Sequence, residues 1–309
     1  MKSKIWIYIG LMFAMAVWAY SYVLIKIVYS YGVPPTMLVF MRLLLATITL
    51  LAFTKITGKL QKIQKPDNIS FLALAFFEPF LYFIGESNGL MLVSPTVGSV
   101  IIATIPVFIP FVLYAFYKEK VDKTNFFGII ISFIGVLLVI FEDDYSLAAS
   151  PVGLAFMFFA VFSAFGYTIV IKKLTKKYNS FTIVTYQTLI GAVLYIPLFL
   201  FSDFNIVANI DFSWQMITAT ITLAIFATAI AYILFSTGIR EIGAMQSTIF
   251  ANFIPVLTAM FALLSGMEDL PMRKLAGVLI VILGVFLSQS KKPFLGLPGM
   301  VWNYFVKKK

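Results

Sequence analysis

The sequence predicts an all-α integral membrane protein in which ten transmembrane helices form two inverted repeats of five helices. Three observations predict this fold class. Of the 309 residues, 61% are hydrophobic and only 12% are charged, whereas an ordinary soluble domain is about half apolar and a quarter charged. The apolar residues fall into ten long runs, and the second half of the chain repeats features of the first.

The composition excludes several classes of protein. A formal net charge of +10 on so apolar a chain indicates membrane topology rather than nucleic-acid binding, because cytoplasmic loops collect Lys and Arg. The chain has no Cys and no His, which excludes disulfides, thiol nucleophiles, histidine metal sites and Ser–His triads. We predict no metal and no other cofactor, and any proton carrier within the membrane would have to be a carboxylate.

The ten apolar runs are each long enough to cross a membrane, which takes about 20 residues. The first run is too long for a cleaved signal peptide and lacks a small-residue cleavage site. The longest connection runs from Lys55 to Asn68, so no soluble domain is inserted. The predicted spans are 5–28, 34–54, 69–92, 95–117, 124–141, 151–174, 180–201, 213–239, 243–267 and 272–290.

The distribution of basic residues predicts the orientation. With the N-terminus placed in the cytoplasm, every Lys and Arg falls on the inner side, apart from Arg273 and Lys274 on the outer side and Lys26 and Arg42 within spans. Such a bias follows the positive-inside rule. It predicts a multi-pass protein of the bacterial inner membrane with both termini in the cytoplasm.

Matched residues in the two halves indicate a repeat. Features of spans 3 to 5 recur 149 residues later, and features of the first two spans recur 145 residues later. Because each copy has five spans, the second copy must enter the membrane upside down, which is a common basis for alternating access. Duplication for stability alone is the alternative. The matched pairs include Gly89 and Gly238, Pro106 and Pro255, Glu119 and Glu268, Gly128 and Gly277, Gly135 and Gly284, and Tyr22 and Tyr167.

Several stretches of the sequence are similar to one group of transporters. They are AMAVWAYSYVLIK (14–26), FMRLLLA (40–46), NGLMLVSPTVGSVIIATIPVF (88–108), and the pair 116–140 and 265–287. Over 5–290 the chain resembles the EamA-type branch of the drug/metabolite transporter superfamily. The resemblance implies an inner-membrane carrier, often an exporter of amino acids or other metabolites. It also implies EamA-like repeats, which we place at 1–145 and 146–290, before a basic aromatic tail at 291–309.

Span 3 carries two carboxylates, which depart from the general pattern of that family. A carboxylate near the bilayer centre costs about 2.5–3.5 kcal/mol on insertion scales, so it is usually paired or faces water. Glu78, Tyr82 and Glu86 recur at four-residue intervals and share one helical face. They would bind a cationic group of the substrate or accept a coupling proton, with Glu78 the stronger candidate for the proton. A structural pair with Arg42 or Lys26 is the alternative.

Neighbouring residues of span 3 predict its packing. Gly85 and Gly89 would admit close helical neighbours, and Pro79 would kink the helix and free a carbonyl to line a cavity. Arg42 lies too deep in span 2 to snorkel easily. It would either pair with a glutamate of span 3 or bind a substrate carboxylate in a fork.

Polar and aromatic residues of other spans complete the predicted substrate site. Thr228, Tyr232 and Ser236 form a polar stripe along one face of span 8. Asn252 on span 9 would bind the substrate, and the alternative is that it forms a hydrogen bond between helices. Pro106 and Pro255 predict matched helix breaks. The glycine pairs of spans 5 and 10 predict close helix packing, either within the chain as a scaffold or between two copies in a dimer. For Glu119 and Glu268 we predict a structural role in the turns before spans 5 and 10. The remaining substrate-binding candidates are Trp18, Tyr22, Asn88, Tyr167 and Gln187.

These features favour a carrier over an enzyme, because the spans hold no HExxH motif, no nucleotide loop and no acidic cluster with metal-ligand spacing. We expect a secondary active exporter of amino acids or related amphipathic metabolites, coupled to protons through Glu78 or Glu86. The alternatives are a translocator of sugar conjugates or lipid carriers and, from another class, a channel or scaffold. The expected partners are a small-molecule substrate and the lipid bilayer but no nucleic acid, and a homodimer is left open.

Overall fold

The computed structural model describes residues 2–118, 123–141, 149–210 and 212–289. Within these ranges the chain forms ten apolar helices joined by short connections, which confirms the predicted fold class. Eight of the helices are long and apolar enough to cross a membrane, and α5 and α10 complete the two sets of five. The helices are α1 Lys2–Ser30, α2 Pro35–Ile56, α3 Lys65–Leu92, α4 Pro95–Tyr117, α5 Lys123–Ile140, α6 Pro151–Leu174, α7 Ser180–Ser202, α8 Trp214–Ile242, α9 Ala244–Leu264 and α10 Met272–Gln289.

The repeat is visible in the irregular parts of the helices. A π-helical segment, Phe76–Leu81, interrupts α3, and a second, Leu223–Ile230, interrupts α8 at the matching place. Likewise α4 breaks between Ile102 and Ile105, and α9 contains the 3₁₀ turn Ile249–Asn252. The matched helix breaks predicted from Pro106 and Pro255 are therefore confirmed.

Helices of one repeat pack mainly against helices of the other. Helix α2 packs against α7, α3 against α6 and α7, and α1 against α8 and α9. A pair of helices related by the repeat, α5 and α10, also pack together along their length. The centre of the molecule is therefore an interface between the two repeats.

The glycines of α5 and α10 form this last contact. A Cβ on Gly135 would lie 2.6 Å from the backbone nitrogen of Val281 and 2.7 Å from the carbonyl oxygen of Gly277. Only glycine permits so close an approach of two backbones. Of the two predicted roles, the structure shows the contact acting as a scaffold within one chain. The other predicted role, a contact between two copies of the chain, stays a prediction.

Side chains at the helix ends tie the repeats together. Asp67 accepts hydrogen bonds from the Nζ of Lys177 (3.0 and 3.1 Å) and the hydroxyl of Tyr178 (2.9 Å). Glu268 accepts from the Ser94 hydroxyl (2.9 Å) and the Thr96 backbone N–H (2.8 Å), and so caps α4 of the other repeat. The structural role predicted for Glu268 is confirmed. Its counterpart Glu119 and the tail 291–309 lie outside the described residues.

Candidate functional site

A cavity lies between the two repeats. The space not filled by protein atoms, including the mouth, is about 800 Å³. Helices α1, α2, α3, α4, α6, α8 and α9 all contribute to its wall. The structure brings eight of the thirteen predicted site residues to this wall, and these are Trp18, Tyr22, Arg42, Glu78, Tyr82, Glu86, Tyr167 and Tyr232.

The cavity wall repeats itself in the two halves of the chain. Residues separated by 145 or 149 positions face the same space from opposite repeats, as expected for a site on the axis that relates the repeats. The pairs are Tyr22 and Tyr167, Phe83 and Tyr232, Glu86 and Phe235, Ile102 and Ala251, and Ile105 and Ile254. Charge breaks this symmetry, because Glu86 and Glu78 correspond to Phe235 and Ala227.

Glu78 sits inside the π-helical segment of α3, where its backbone leaves the helical region (φ −148°, ψ 116°). Its side chain is 7% exposed, and its carboxylate accepts a hydrogen bond from the hydroxyl of Tyr232 on α8. This bond joins the two repeats, because α3 belongs to the first and α8 to the second.

Carbonyls of the π-helical segment accept hydrogen bonds from side chains of the second repeat. The carbonyl that we expected Pro79 to free for the cavity wall stays a prediction. The Phe77 carbonyl accepts from the Ser163 hydroxyl, and the Glu78 carbonyl accepts from the Nε2 of Gln187 (3.0 Å). The Phe80 carbonyl accepts from the hydroxyl of Tyr195 (3.2 Å). Side chains of α6 and α7 therefore satisfy the interrupted helix, as buried backbone groups require.

Glu86 lies two helical turns beyond Glu78 on the same face and is equally buried, with 7% of its surface exposed. Its Oε1 accepts a hydrogen bond of 3.0 Å from the hydroxyl of Tyr82, which belongs to the same helix. The predicted polar stripe of Glu78, Tyr82 and Glu86 therefore faces a single cavity.

Arg42 is 2% exposed and does not form an ion pair with either glutamate in the described part of the chain. Its Nε donates to the Thr228 hydroxyl (3.3 Å), and its Cζ lies 4.7 Å from the ring centroid of Phe83. The Nη1 has no hydrogen-bond partner among the described residues. The proposed structural pair between Arg42 and a glutamate is thus not formed, and the Nη1 nitrogen is left without a partner among those residues.

Aromatic rings supply the apolar part of the wall. Trp18 packs edge-on against Tyr232 and Phe235, with ring centroids 5.2 Å apart in each case. Its Nε1 donates to the carbonyl of Ala227 (2.9 Å) in the π-helical segment of α8. The ring is therefore fixed in place by the opposite repeat.

Five predicted site residues lie outside the main cavity. Gln187 and Thr228 line a second cavity of about 170 Å³ that shares Phe83 and Tyr232 with the first. Asn88 donates to the carbonyl of Ile84 one turn earlier in its own helix (2.8 Å). Ser236 and Asn252 are buried, and their polar side-chain atoms have no partner in the part of the chain that the structure describes. Substrate contact by these five stays a prediction.

Sequence reasoning missed most of the wall that α4 and α9 contribute. This part consists of Ile102, Ile105 and Pro106 on α4 and of Thr248, Ala251 and Ile254 on α9. Single apolar residues in an apolar span carry no signal. The matched prolines did point to these two helices, because a broken helix marks a site near the repeat axis.

The chain matches the model of the EamA-like transporter family over residues 5–141 and again over 151–289. It is 29% identical over 244 residues to an "uncharacterized transporter" of Archaeoglobus fulgidus, covering 79% of this chain and 85% of the relative. A second transporter of that organism is 26% identical over 295 residues, with 94% and 99% coverage. The uncharacterized transporter YetK of Bacillus subtilis is 24% identical over 299 residues, with 94% and 89% coverage.

A solved crystal structure shares the fold. The TM-score is 0.66 at 14% sequence identity, and the match covers 90% of this chain and 97% of the other. At this identity the likeness concerns the fold alone. It agrees with the ten-helix architecture described above.

Proposed function

The chain belongs to the EamA-like transporter family, a family of membrane transporters, and we propose that it is a secondary active carrier of small metabolites that works by alternating access. One observation carries the proposal. Two buried carboxylates and a buried arginine line one cavity at the interface of two inverted repeats. A midplane site between inverted repeats is typical of carriers, and ionisable groups within the membrane mark transport pathways.

The polar groups of the cavity favour an amphipathic substrate, such as an amino acid. Glu86 or Glu78 would bind a cationic group, and the unpartnered Nη1 of Arg42 would bind a carboxylate. The rings of Trp18 and Phe235 would pack against an apolar side chain. Arg42 is the one basic residue in the described cavity wall, whereas a phosphate-bearing sugar conjugate or lipid carrier would call for several.

We infer the location from the charge distribution and the direction of transport from the family resemblance. Basic residues concentrated on one side support cytoplasmic termini and insertion in the bacterial inner membrane. We infer an exporter from the resemblance of the sequence to families that export metabolites. A non-enzymatic role is part of the same proposal, as is coupling to protons through Glu78 or Glu86.

The experiment measures counterflow of labelled amino acids into proteoliposomes, with and without a pH gradient. We expect saturable counterflow that the gradient stimulates. Glu78→Gln and Glu86→Gln are each expected to leave expression intact, and at least one should abolish transport. The matched control is Glu241→Gln on the same chain, because the Glu241 side chain is 47% exposed and lies outside the cavity.

Three outcomes would contradict the proposal. Full transport by the double variant Glu78→Gln, Glu86→Gln would remove the glutamates from the mechanism. Conductance without saturation would indicate a channel. Absence of any flux for amino acids, together with flux of a phosphate-bearing conjugate, would favour the translocator.

A further inference from the structure

Both long cavity helices that carry π-helical segments are clamped by the opposite repeat. On α3 the carbonyls of Phe77 and Glu78 accept from Ser163 and Gln187 of the second repeat. On α8 the carbonyl of Ala227, within the π-helical segment, accepts from Trp18 of the first repeat. These clamps consist of neutral groups, so a change of pH leaves their strength unchanged.

In the described part of the chain, one hydrogen bond to a carboxylate joins the two interrupted helices directly. Glu78 lies within the interruption of α3, and Tyr232 follows the interruption of α8 by two residues. The Tyr232 hydroxyl donates to Oε1 of Glu78, and both groups are buried. The second glutamate offers a natural contrast, since its tyrosine partners, Tyr82 on the same helix and Tyr22 on α1, both belong to the first repeat with Glu86.

From this contrast we infer that Tyr232 is the positioning residue that couples the protonation of Glu78 to the movement of one repeat against the other. The inference rests on the proposed function and assigns a different role to each of the two glutamates. The Glu78–Tyr232 bond must lengthen when the repeats separate at α3 and α8, whereas the Glu86–Tyr82 bond moves as one piece with α3. Glu78 is then the coupling acid, and Glu86 is the acid available to the substrate.

The step involves one proton. A proton from water in the cavity adds to a carboxylate oxygen of Glu78, which becomes a neutral carboxyl group. Tyr232 keeps its own proton, and its O–H then donates to an uncharged acceptor. A hydrogen bond to an ionised acceptor is roughly twice as strong as one between neutral groups, so uptake of the proton loosens the tie between the repeats. Release of the proton to water restores it.

Other ionisable groups share the cavity with Glu78. They are Arg42 from α2, Tyr82 and Glu86 from α3, Tyr22 from α1 and Tyr167 from α6. Helix α7 presents the neutral amide of Gln187, and α4 and α9 contribute only uncharged side chains to the described wall. Of all these groups, only Glu78 and Glu86 combine a titratable carboxylate with a tyrosine donor, and only Glu78 has its donor on the other repeat.

The test exploits the absence of native cysteine. A single cysteine introduced by Thr248→Cys on the α9 wall reports access to the cavity through its rate of labelling by N-ethylmaleimide. Thr57→Cys, at an exposed position between α2 and α3, reports the intrinsic reactivity of a thiol at each pH. The protein is held in lipid nanodiscs at pH 5.5 and pH 8.5, and the rate at position 248 is divided by the rate at position 57.

We expect the normalised rate to be about fivefold higher at pH 5.5, as for exchanging a charge-assisted hydrogen bond for a neutral one. Tyr232→Phe and Glu78→Gln should each abolish this dependence and hold the fast rate at both pH values. Tyr82→Phe removes the corresponding hydroxyl beside Glu86 and should leave the pH dependence of labelling intact. Monodispersity and melting of each variant check folding, and Glu78→Gln carries the test alone if Tyr232→Phe fails to fold.

Three results would overturn the inference. The pH dependence of labelling could survive Tyr232→Phe or Glu78→Gln, or it could be lost in Tyr82→Phe. It could also be missing from the protein that carries only the reporter cysteine. The labelling requires no substrate. Its failure is therefore distinguishable from failure of the proposed function, which would appear as missing counterflow while the pH dependence of labelling persists.

Discussion

The substitution Gly85→Ala tests the packing of the two repeats beside the candidate site. Gly85 lies on α3 between Tyr82 and Glu86 and faces α6 of the second repeat. A Cβ at this position would lie 2.6 Å from the carbonyl oxygen of Phe156 and 2.7 Å from the backbone nitrogen of Ala160. Both atoms belong to the backbone of α6 and cannot rotate away. The helices must therefore separate.

The magnitude follows from two opposing effects. Overpacking typically costs about 1–3 kcal/mol, and the better helix propensity of Ala returns up to about 1 kcal/mol. We expect the free energy of unfolding to fall by about 1–2 kcal/mol. Gly10→Ala on α1 is the matched control, because its Cβ would meet the Cδ2 of Leu234 at 3.1 Å, and this end of a flexible side chain can move.

The assay is equilibrium unfolding by SDS in mixed micelles, followed by helical circular dichroism. Gly10→Ala should leave the free energy of unfolding unchanged or raise it slightly. Counterflow should fall in Gly85→Ala alone, since displacement of α3 carries Tyr82 and Glu86 away from the rest of the wall. Equal stability of the two variants would refute the reasoning, because it would mean that α6 yields freely at this contact.

Three further predictions concern two contacts between the repeats and one residue of the substrate site. Asp67→Asn should lower the stability in the same SDS assay more than Lys177→Ala does, because the Asp67 carboxylate accepts from both Lys177 and Tyr178 whereas the Lys177 side chain is 49% exposed. Equal losses would contradict this. Glu268→Ala should speed amide hydrogen exchange at the start of α4, where the carboxylate accepts hydrogen bonds from Ser94 and Thr96. Unchanged exchange would show that Glu268 does not stabilise this helix end. Arg42→Lys should raise the KM for a carboxylate-bearing substrate at least tenfold, because the planar fork is lost, and an unchanged KM would remove Arg42 from the substrate site.

The sequence predicted the helices and part of the site because both depend on local patterns. Apolar runs define the spans, and four-residue spacing places Glu78, Tyr82 and Glu86 on one face, which the cavity confirms. The partners of these residues depend on contacts between distant helices. No spacing relates Glu78 to Tyr232 or Arg42 to Thr228, which are 154 and 186 positions apart.

The stripe predicted on α8 shows where local periodicity fails. Thr228, Tyr232 and Ser236 would share a face of a regular α-helix, yet only Tyr232 reaches the main cavity. Thr228 lies within the π-helical segment Leu223–Ile230, where wider turns shift the phase of the helix. Below it, the face that lines the cavity runs through Tyr232, Phe235 and Ile239, so Ser236 falls beside this face. A phase shift of this kind leaves no mark in the sequence unless the repeat is compared with its partner.

Comparing the two repeats distinguishes the structural features that both copies share from the charged groups that only one copy carries. Both copies retain the interrupted helix and a side chain from the other repeat that clamps it, which is Ser163 for α3 and Trp18 for α8. The acids occur in one copy only. At the positions of Glu78 and Glu86 the second copy has Ala227, whose carbonyl holds Trp18, and Phe235, which packs against that same ring. The second copy therefore builds the apolar wall at the positions where the first copy places charge, and a cavity on the repeat axis acquires two chemically different sides.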